Sequence, residues 1–493
     1  MKKIRILRIT VSTLLFLITA AGFSGVFQLA AKGAKLQFFP AFAAGSFIAL
    51  LWIGAALLWG RVFCSFGCPL GYIQDAAGFI GRKLRKKSCS AQPPRRLLRY
   101  SAGIFLLVLF AFGLGSAAGF LEPFSVTGRF FNTCLRPALQ WFGNKTGLWN
   151  FSEIIPVVSG VAAAGIFFMV LIAAGAFFRE RLFCNTLCPA GFLLGLFSRL
   201  ARFRLKIGEN CVRCKACEKV CKSGCIDLVN AKIDNERCIL CGNCLAACKF
   251  SALTTADSFL PDTEVPEKFD GKRRLFLTGI ALAGAAGAVG TSPLLKPAGE
   301  KIPCAPPGAG SIEEFNRKCT GCQLCVANCP GKVLTPAGLE YGLAGIGQPR
   351  MNTNHGFCDP KCSNCNNICP AGALRPLSLE EKKRCRVGMV TYYRNRCVVV
   401  TDGEACGACA EHCPTGALDM VEYKDGLTIP KVIPELCIGC GGCEYVCPVR
   451  PQRAVVISGL LKQETAADPA KYRGRNTVTK KPEPAKNDAV FPF

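Results

Sequence analysis

Thirty-three cysteines in 493 residues, against two histidines, put sulfur at the centre of this chain's chemistry. Six short runs hold twenty-four of them. Cys211, Cys214, Cys217 and Cys221 have the spacing C-x2-C-x2-C-x3-C, and Cys238, Cys241, Cys244 and Cys248 repeat it. Cys319, Cys322, Cys325 and Cys329 do so again. Cys358, Cys362, Cys365 and Cys369 open one residue wider. Cys397, Cys406, Cys409 and Cys413 open with an eight-residue gap, and Cys437, Cys440, Cys443 and Cys447 are regular. All six runs end in C-x2-C-x3-C, and Pro330, Pro370, Pro414 and Pro448 follow the last four. Three thiolates on one tight loop suit three corners of a [4Fe–4S] cube, and the fourth cysteine of each run serves a neighbouring cube. Structural zinc sites instead read C-x2-C, a long gap, then C-x2-C. Six repeats of the first pattern predict six [4Fe–4S] clusters.

The first two runs pair as Cys211, Cys214, Cys217 with Cys248, and Cys238, Cys241, Cys244 with Cys221. In the last four, regular runs flank irregular ones, so nested sharing is expected. Cys319, Cys322 and Cys325 would take Cys447, and Cys437, Cys440 and Cys443 would take Cys329. Cys358, Cys362 and Cys365 would take Cys413, and Cys397, Cys406 and Cys409 would take Cys369.

Four further cysteines lie in an internal repeat. Arg61-Val-Phe-Cys64-Ser-Phe-Gly-Cys68-Pro69-Leu-Gly71 matches Arg181-Leu-Phe-Cys184-Asn-Thr-Leu-Cys188-Pro189-Ala-Gly191. Duplication would bring Cys64, Cys68, Cys184 and Cys188 together as ligands of a seventh cluster or a metal, or as redox-active thiols. The plainer reading is a buried helix-terminus motif. Cys225 reads as packing, and Cys89, Cys134, Cys304 and Cys385 carry no assigned role. Haem is excluded: no Cys-x-x-Cys-His occurs, and His355 and His412 lie far from any apolar span. A disulfide scaffold is normally a small secreted domain, unlike this long chain with an odd cysteine count.

The elements that must position these residues are largely apolar. Five uncharged stretches are long enough to cross a bilayer, which takes roughly 20 apolar residues: Ile9–Ala31, Leu36–Gly60, Tyr100–Leu121, Ile154–Phe178 and Leu275–Leu295. Basic residues cluster before the first and between the second and third, which puts the amino terminus and that loop in the cytoplasm. The expected fold is a membrane α-helical core of four spans as two duplicated hairpins, plus a fifth span, with α+β bacterial-ferredoxin-like [4Fe–4S] domains. Residues 1–205 form the four-span domain, 206–260 a cytoplasmic two-cluster domain, and 261–298 a linker and fifth span. Residues 299–461 form a periplasmic four-cluster domain and 462–493 a disordered tail. Lys272-Arg-Arg-Leu-Phe276-Leu resembles a twin-arginine export signal. One electron hop does not cross the roughly 30 Å of hydrocarbon between the two cluster domains. Glu122, Glu153 and Asp75 are candidate proton acceptors.

Residues 1–260, with four apolar spans, two C-x3-C-P motifs and a two-cluster domain, resemble the NapH-type membrane ferredoxins. Residues 271–460, with the arginine pair and four cluster runs, resemble the NapG-type periplasmic ferredoxins. The methylamine-utilisation ferredoxins are similar in both halves, as if both were fused in one chain. The resemblance implies a quinol dehydrogenase of the bacterial inner membrane. It would draw on the quinol pool, with quinone/quinol as substrate, and serve a periplasmic reductase or cytochrome. Similar membrane ferredoxins have maturation roles, so an assembly factor reducing a metal or cofactor of another enzyme is the alternative. A net charge of +27 would suit nucleic acid, but no nucleic-acid module accompanies it. Each [4Fe–4S] core with four thiolates carries roughly −2, so six clusters lower +27 to about +15.

Overall fold

The computed structural model describes residues 2–25, 27–86, 95–147, 159–257, 302–342 and 345–476. The amino-terminal half is helical, and its principal helices are Lys2–Phe23, Phe47–Trp59, Pro69–Arg85, Arg96–Ala111, Pro123–Phe130, Ser159–Phe178 and Pro189–Ser198. Among the described residues two helical stretches, Arg5–Phe23 and Gly160–Phe178, are long and apolar enough to cross a membrane.

The helices differ from the expected spans in their bounds. Ile9–Ala31 ends as a helix at Phe23. Leu36–Gly60 breaks at residues 44–46, where Ser46 caps a new helix by accepting from Ile48 N. A serine hydroxyl there replaces the missing intrahelical acceptor and makes the break favourable. Tyr100–Leu121 breaks at residues 112–114. Gly113 has φ +80°, a conformation that glycine adopts without steric cost. The expected fifth span and the arginine pair before it lie outside the described residues.

The repeat has a direct structural meaning. Pro69 and Pro189 do not stop helices; they start them. Each occupies the first helical position, where no N–H is needed. Cys68 and Cys188 are the N-caps, their sulfurs accepting from Gly71 N and Gly191 N. The helix after each motif then packs on the other repeat: Pro69–Arg85 on Ser159–Phe178, and Pro189–Ser198 on Phe47–Trp59. The two hairpins thus exchange helices.

The first cluster unit follows directly. Strands β1 (Phe203–Ile207) and β4 (Leu253–Asp257) pair antiparallel, as do β2 (Ile226–Asp227) and β3 (Lys232–Ile233). The second unit has hairpins β5 (Leu334–Pro336) with β6 (Pro349–Met351) and β8 (Leu418–Glu422) with β9 (Thr428–Val432). A longer ribbon joins β7 (Cys385–Tyr392) to β10 (Val455–Thr465). The segment expected to be a disordered tail from 462 instead completes β10 and forms a helix, Pro469–Asn476. Leucine and valine in β10 and the pairing with β7 hold it.

The two units sit at opposite ends of the helical half. Near the start of the first helix, Arg8 bonds Asp75, and Lys222 of the first unit reaches the same carboxylate at 2.7 Å. Near its end, Gly22 O accepts from Asn328 Nδ2 of the second unit. Arg8 and Gly22 stand about 21 Å apart along the helix at 1.5 Å per residue. Asp75 also accepts from Arg181 Nε at 2.8 Å. Burial opposes its charge, yet Arg181 and Lys222 outweigh that and hold the carboxyl well below the usual range.

Removing this carboxylate leaves three cations in a buried site. Asp75→Asn should cost about 3–5 kcal/mol, read as thermal unfolding in detergent. Because the carboxyl is depressed in the folded state, its contribution is present above about pH 4 and is lost as pH falls below that. The wild type should show this acid step and Asp75→Asn should not.

Candidate iron–sulfur sites

Each cysteine run opens on a loop and closes on a one-turn helix. In the first unit, helices Ala216–Lys219 and Asn243–Ala247 pack together, so each run's last cysteine reaches the other run's loop. Two chambers result. Cys211, Cys214, Cys217 and Cys248 line one of about 370 Å3, walled by Ile207, Leu228 and Leu253. Cys221, Cys238, Cys241 and Cys244 line the other, also about 370 Å3. Cys225, read from sequence as packing, lines this second chamber too, with its Sγ 3.5 Å from that of Cys221.

The second unit repeats this geometry twice, and here the nested sharing is corrected. Cys319, Cys322 and Cys325 share a chamber of about 360 Å3 with Cys369, not Cys447. Cys437, Cys440 and Cys443 share one of about 280 Å3 with Cys413, not Cys329. Cys365 faces Cys358, Cys362 and Cys329 rather than Cys413. Cys409 faces Cys397, Cys406 and Cys447 rather than Cys369. The physical reason is helix packing. Leu324–Ala327 lies against Asn364–Ile368, and Ala408–Glu411 against Gly442–Val446, so consecutive runs exchange their last cysteines. The altered gaps in the irregular runs are absorbed in their loops and leave the helix pairs intact.

The four chambers of the second unit form a row. The Cys319 chamber abuts the helical half, and the Cys358 set is beside it. Cys358 N donates to Cys440 O at 2.9 Å, which brings the Cys437 chamber next. The Cys397 set is joined to the Cys437 set through their exchanged last cysteines, Cys447 and Cys413.

These donor sets fit clusters. Burial raises the thiols, Cys358 and Cys409 to about 11 and Cys322 and Cys440 to about 12. Four such thiols around one apolar volume ionise only when a cationic core lies between them. Donors for thiolate sulfur are present: Ala417 N to Cys413 Sγ at 3.1 Å and Lys382 Nζ to Cys358 Sγ at 3.4 Å. Among the described residues, no group of three or more His, Cys, Asp or Glu side chains is gathered closely enough for a single metal ion.

The repeat cysteines Cys64, Cys68, Cys184 and Cys188 are all buried, and three of them, Cys64, Cys68 and Cys188, share one core cluster. Arg61 Nη2 donates to Cys184 O at 2.9 Å, and Arg181 Nη1 donates to Cys64 O at 2.8 Å, so each arginine clamps the other repeat. Arg61 Nη2 also lies 3.7 Å from Cys64 Sγ and Arg181 Nη1 3.9 Å from Cys184 Sγ. Gln74 Nε2 reaches Cys184 Sγ at 3.2 Å. A Cβ on Gly71 would stand 2.4 Å from Arg181 Nη1, and one on Gly191 would stand 2.7 Å from Arg61 Nη2. With the capping N–H groups, all four sulfurs face donors, an arrangement suited to anionic thiolates. The quartet lies at the first-unit end: Arg61 reaches Glu236 O, and Cys241 packs against the same core.

The proton-acceptor candidates separate. Asp75 is committed to three cations. Glu122 is buried and caps the Pro123–Phe130 helix through Phe124 N and Ser125 N; burial raises its carboxyl despite those bonds. Glu153 lies outside the described residues.

Comparisons with known proteins agree with this geometry. A 4Fe-4S binding domain model matches residues 42–87 and again 161–208, the two C-x3-C-P segments. Related models match 208–224, 231–254 and 317–342, and a 4Fe-4S dicluster domain matches 404–450. An uncharacterised protein of Methanocaldococcus jannaschii, MJ0750, is 32% identical over 267 residues, 52% of this chain and 98% of its own. The methylamine utilisation ferredoxin-type protein MauM of Methylophilus methylotrophus is 33% identical over 29% of this chain and 65% of its own. The ferredoxin-type protein NapG of Escherichia coli is 29% identical over 40% of this chain and 89% of its own. The chain belongs to the NapG/NapH-like ferredoxin family. No solved structure matches it.

Its relatives are ferredoxin-type electron-transport proteins, and this chain carries several 4Fe-4S binding domains. Sequence reading missed the charged groups that position them. Lys222 and Lys249 stand where ferredoxins usually carry proline. Lys222 docks the first unit on Asp75, whereas Lys249 is exposed. Arg61 and Arg181 recur at one position of the repeat, a signal visible beforehand. Arg129 had none.

The exchange of fourth cysteines is testable. Cys369→Ala should remove the cluster of Cys319, Cys322 and Cys325, and Cys447→Ala that of Cys397, Cys406 and Cys409. Each loss is about four irons per chain, with the affected cluster identified by its paramagnetic signal. Nested sharing predicts the reverse assignment.

Proposed function

We propose that this chain is a multi-pass membrane protein that oxidises quinol and delivers electrons to a periplasmic reductase or cytochrome. Residues 1–205 would form the membrane domain, 206–260 a cytoplasmic two-cluster domain and 299–476 a periplasmic four-cluster domain. Membrane placement is supported by the apolar side chains left exposed on the helical half, including Leu14, Leu17, Phe47, Leu50, Leu51, Phe167, Val170 and Leu171. A water-facing surface of that kind is unfavourable, whereas lipid covers it.

The observation that carries the reading is where the row of chambers begins. The loop of Cys319 and Cys322 rests directly on the helical half, and the row leads away from it. [4Fe–4S] clusters, when bound, accept single electrons and so divide the pair released by quinol. The six sets of four cysteines, as the structure groups them, are the proposed ligands. Cys64, Cys68, Cys184 and Cys188 are proposed ligands of a further centre, a cluster or a metal. That centre would sit beside Cys241 rather than midway between the two units. The quinone pool is then the carrier that connects the two ends.

Menaquinol or ubiquinol analogues added to purified, anaerobic protein should bleach the cluster absorbance within the mixing time of a stopped-flow trace. If no quinol analogue reduces any cluster while dithionite reduces them all, the quinol-oxidising role is wrong and the electron-transport assignment stands alone.

A further inference from the structure

Three of the largest fully buried side chains are arginines: Arg61, Arg129 and Arg181. Arg61 and Arg181 serve the repeat. Arg129 does not; it points from the Pro123–Phe130 helix into the second unit. Its Nε donates to Gly321 O at 3.0 Å and its Nη2 to Thr320 O at 3.1 Å. Those carbonyls belong to the loop between Cys319 and Cys322. Its guanidinium also stands 3.9 Å over the Phe120 ring, and Nη2 reaches Ser116 O. Nη1 is buried and has no hydrogen-bond partner. Cys322, Cys319 and Glu122 are the groups whose negative charge favours the guanidinium's charged form, against its burial. Gly119 and Gly321 leave the room it needs, since a Cβ on Gly321 would meet Nη2 at 2.7 Å.

A guanidinium is always charged and is costly to bury unless an anion faces it. Carbonyl oxygens satisfy its hydrogen bonds in part, but one carboxylate and two loop carbonyls do not explain a buried donor left free beside two cluster ligands. We propose that Arg129 sets the reduction potential of the cluster held by Cys319, Cys322, Cys325 and Cys369, and thereby makes it the acceptor at which electrons leave the helical half. This rests on the cluster reading given above. Reduction adds one negative charge to that chamber. A fixed cation a few ångströms away in a low-dielectric interior favours the reduced form and raises the potential. Glu122, the N-cap of the same helix about two turns earlier, acts with the opposite sign. Arg129 is a tuning and docking residue; it touches the ligand loop, not a substrate.

The test uses full-length, cluster-loaded protein in detergent at pH 8, with each cluster followed by paramagnetic resonance during a redox titration. In Arg129→Gln one cluster should be reduced about tenfold less at a fixed poise, a shift of about 59 mV downward for a one-electron couple. Arg129→Lys should recover most of it, because the charge remains. Glu122→Gln should shift the same cluster upward. Asn132→Ala removes the neighbouring docking bond to Gln323 Oε1 but no charge, and should leave the potential in place. The inference is overturned if Arg129→Gln and Glu122→Gln leave every potential unchanged, or if Asn132→Ala shifts the cluster as far as Arg129→Gln. Should Arg129→Gln fail to assemble, the Glu122→Gln shift decides alone. Iron and sulfide well below six clusters in the wild type would instead defeat the cluster reading, separately from Arg129.

Discussion

Gathering four thiols around one apolar chamber is the constraint on which this molecule depends. As thiolates they repel one another, and burial removes the water that would screen them. An iron–sulfur core answers most of that charge. The protein answers the remainder with N–H groups and a few buried cations, which double as the bolts between its parts. Lys382 lies on a thiol within its own unit, whereas Arg61, Arg129 and Lys222 act across boundaries. Holding charge and holding the architecture are one task here.

The duplicated repeat shows how little sequence that task requires. Each copy contributes an arginine, two cysteines, a proline and a glycine. The arginine reaches across to the other copy's carbonyl, the glycine leaves space for the incoming guanidinium, and the cysteine caps the helix that proline starts. Neither copy satisfies its own buried groups. Each is complete only in the presence of the other, which explains why the helices exchange rather than form independent hairpins.

Two different docking chemistries join the cluster units to this core. The first unit is held by ion pairs to Asp75 and Glu236, groups that combine charge with deep burial. The second is held mainly by neutral hydrogen bonds: Ser125 to Thr320, Asn132 to Gln323 and Asn328 to Gly22 O. Arg129 is the exception, and it lies against the ligand loop. A largely neutral interface leaves the field at the first chamber of the row to Arg129 and to Glu122, which opposes it.

The cluster runs were legible because an iron–sulfur cube demands three thiolates at fixed spacing on one loop, a local requirement that any sequence must display. The repeat was legible for the same reason, since Cys64 to Gly71 and Cys184 to Gly191 are short contiguous motifs. Apolar composition indicated helices but not their ends, because Ser46 and Gly113 break runs whose hydropathy continues through them. The fourth ligands of the first unit, Cys248 and Cys221, followed from the two-run spacing, but those of the second unit were beyond reach. Regularity of spacing suggested nested sharing, yet the choice between Cys369 and Cys447 belongs to helix packing, which acts between segments and leaves no mark on spacing. Arg129 was equally silent, one basic residue among sixty Lys and Arg, given meaning only by the carbonyls of Thr320 and Gly321 nearly two hundred residues away. The sequence by itself determined the chemistry, because metal ligation is written in local spacing. The tertiary structure decided the partners and the order of the chambers, because those depend on which buried surfaces and charges meet.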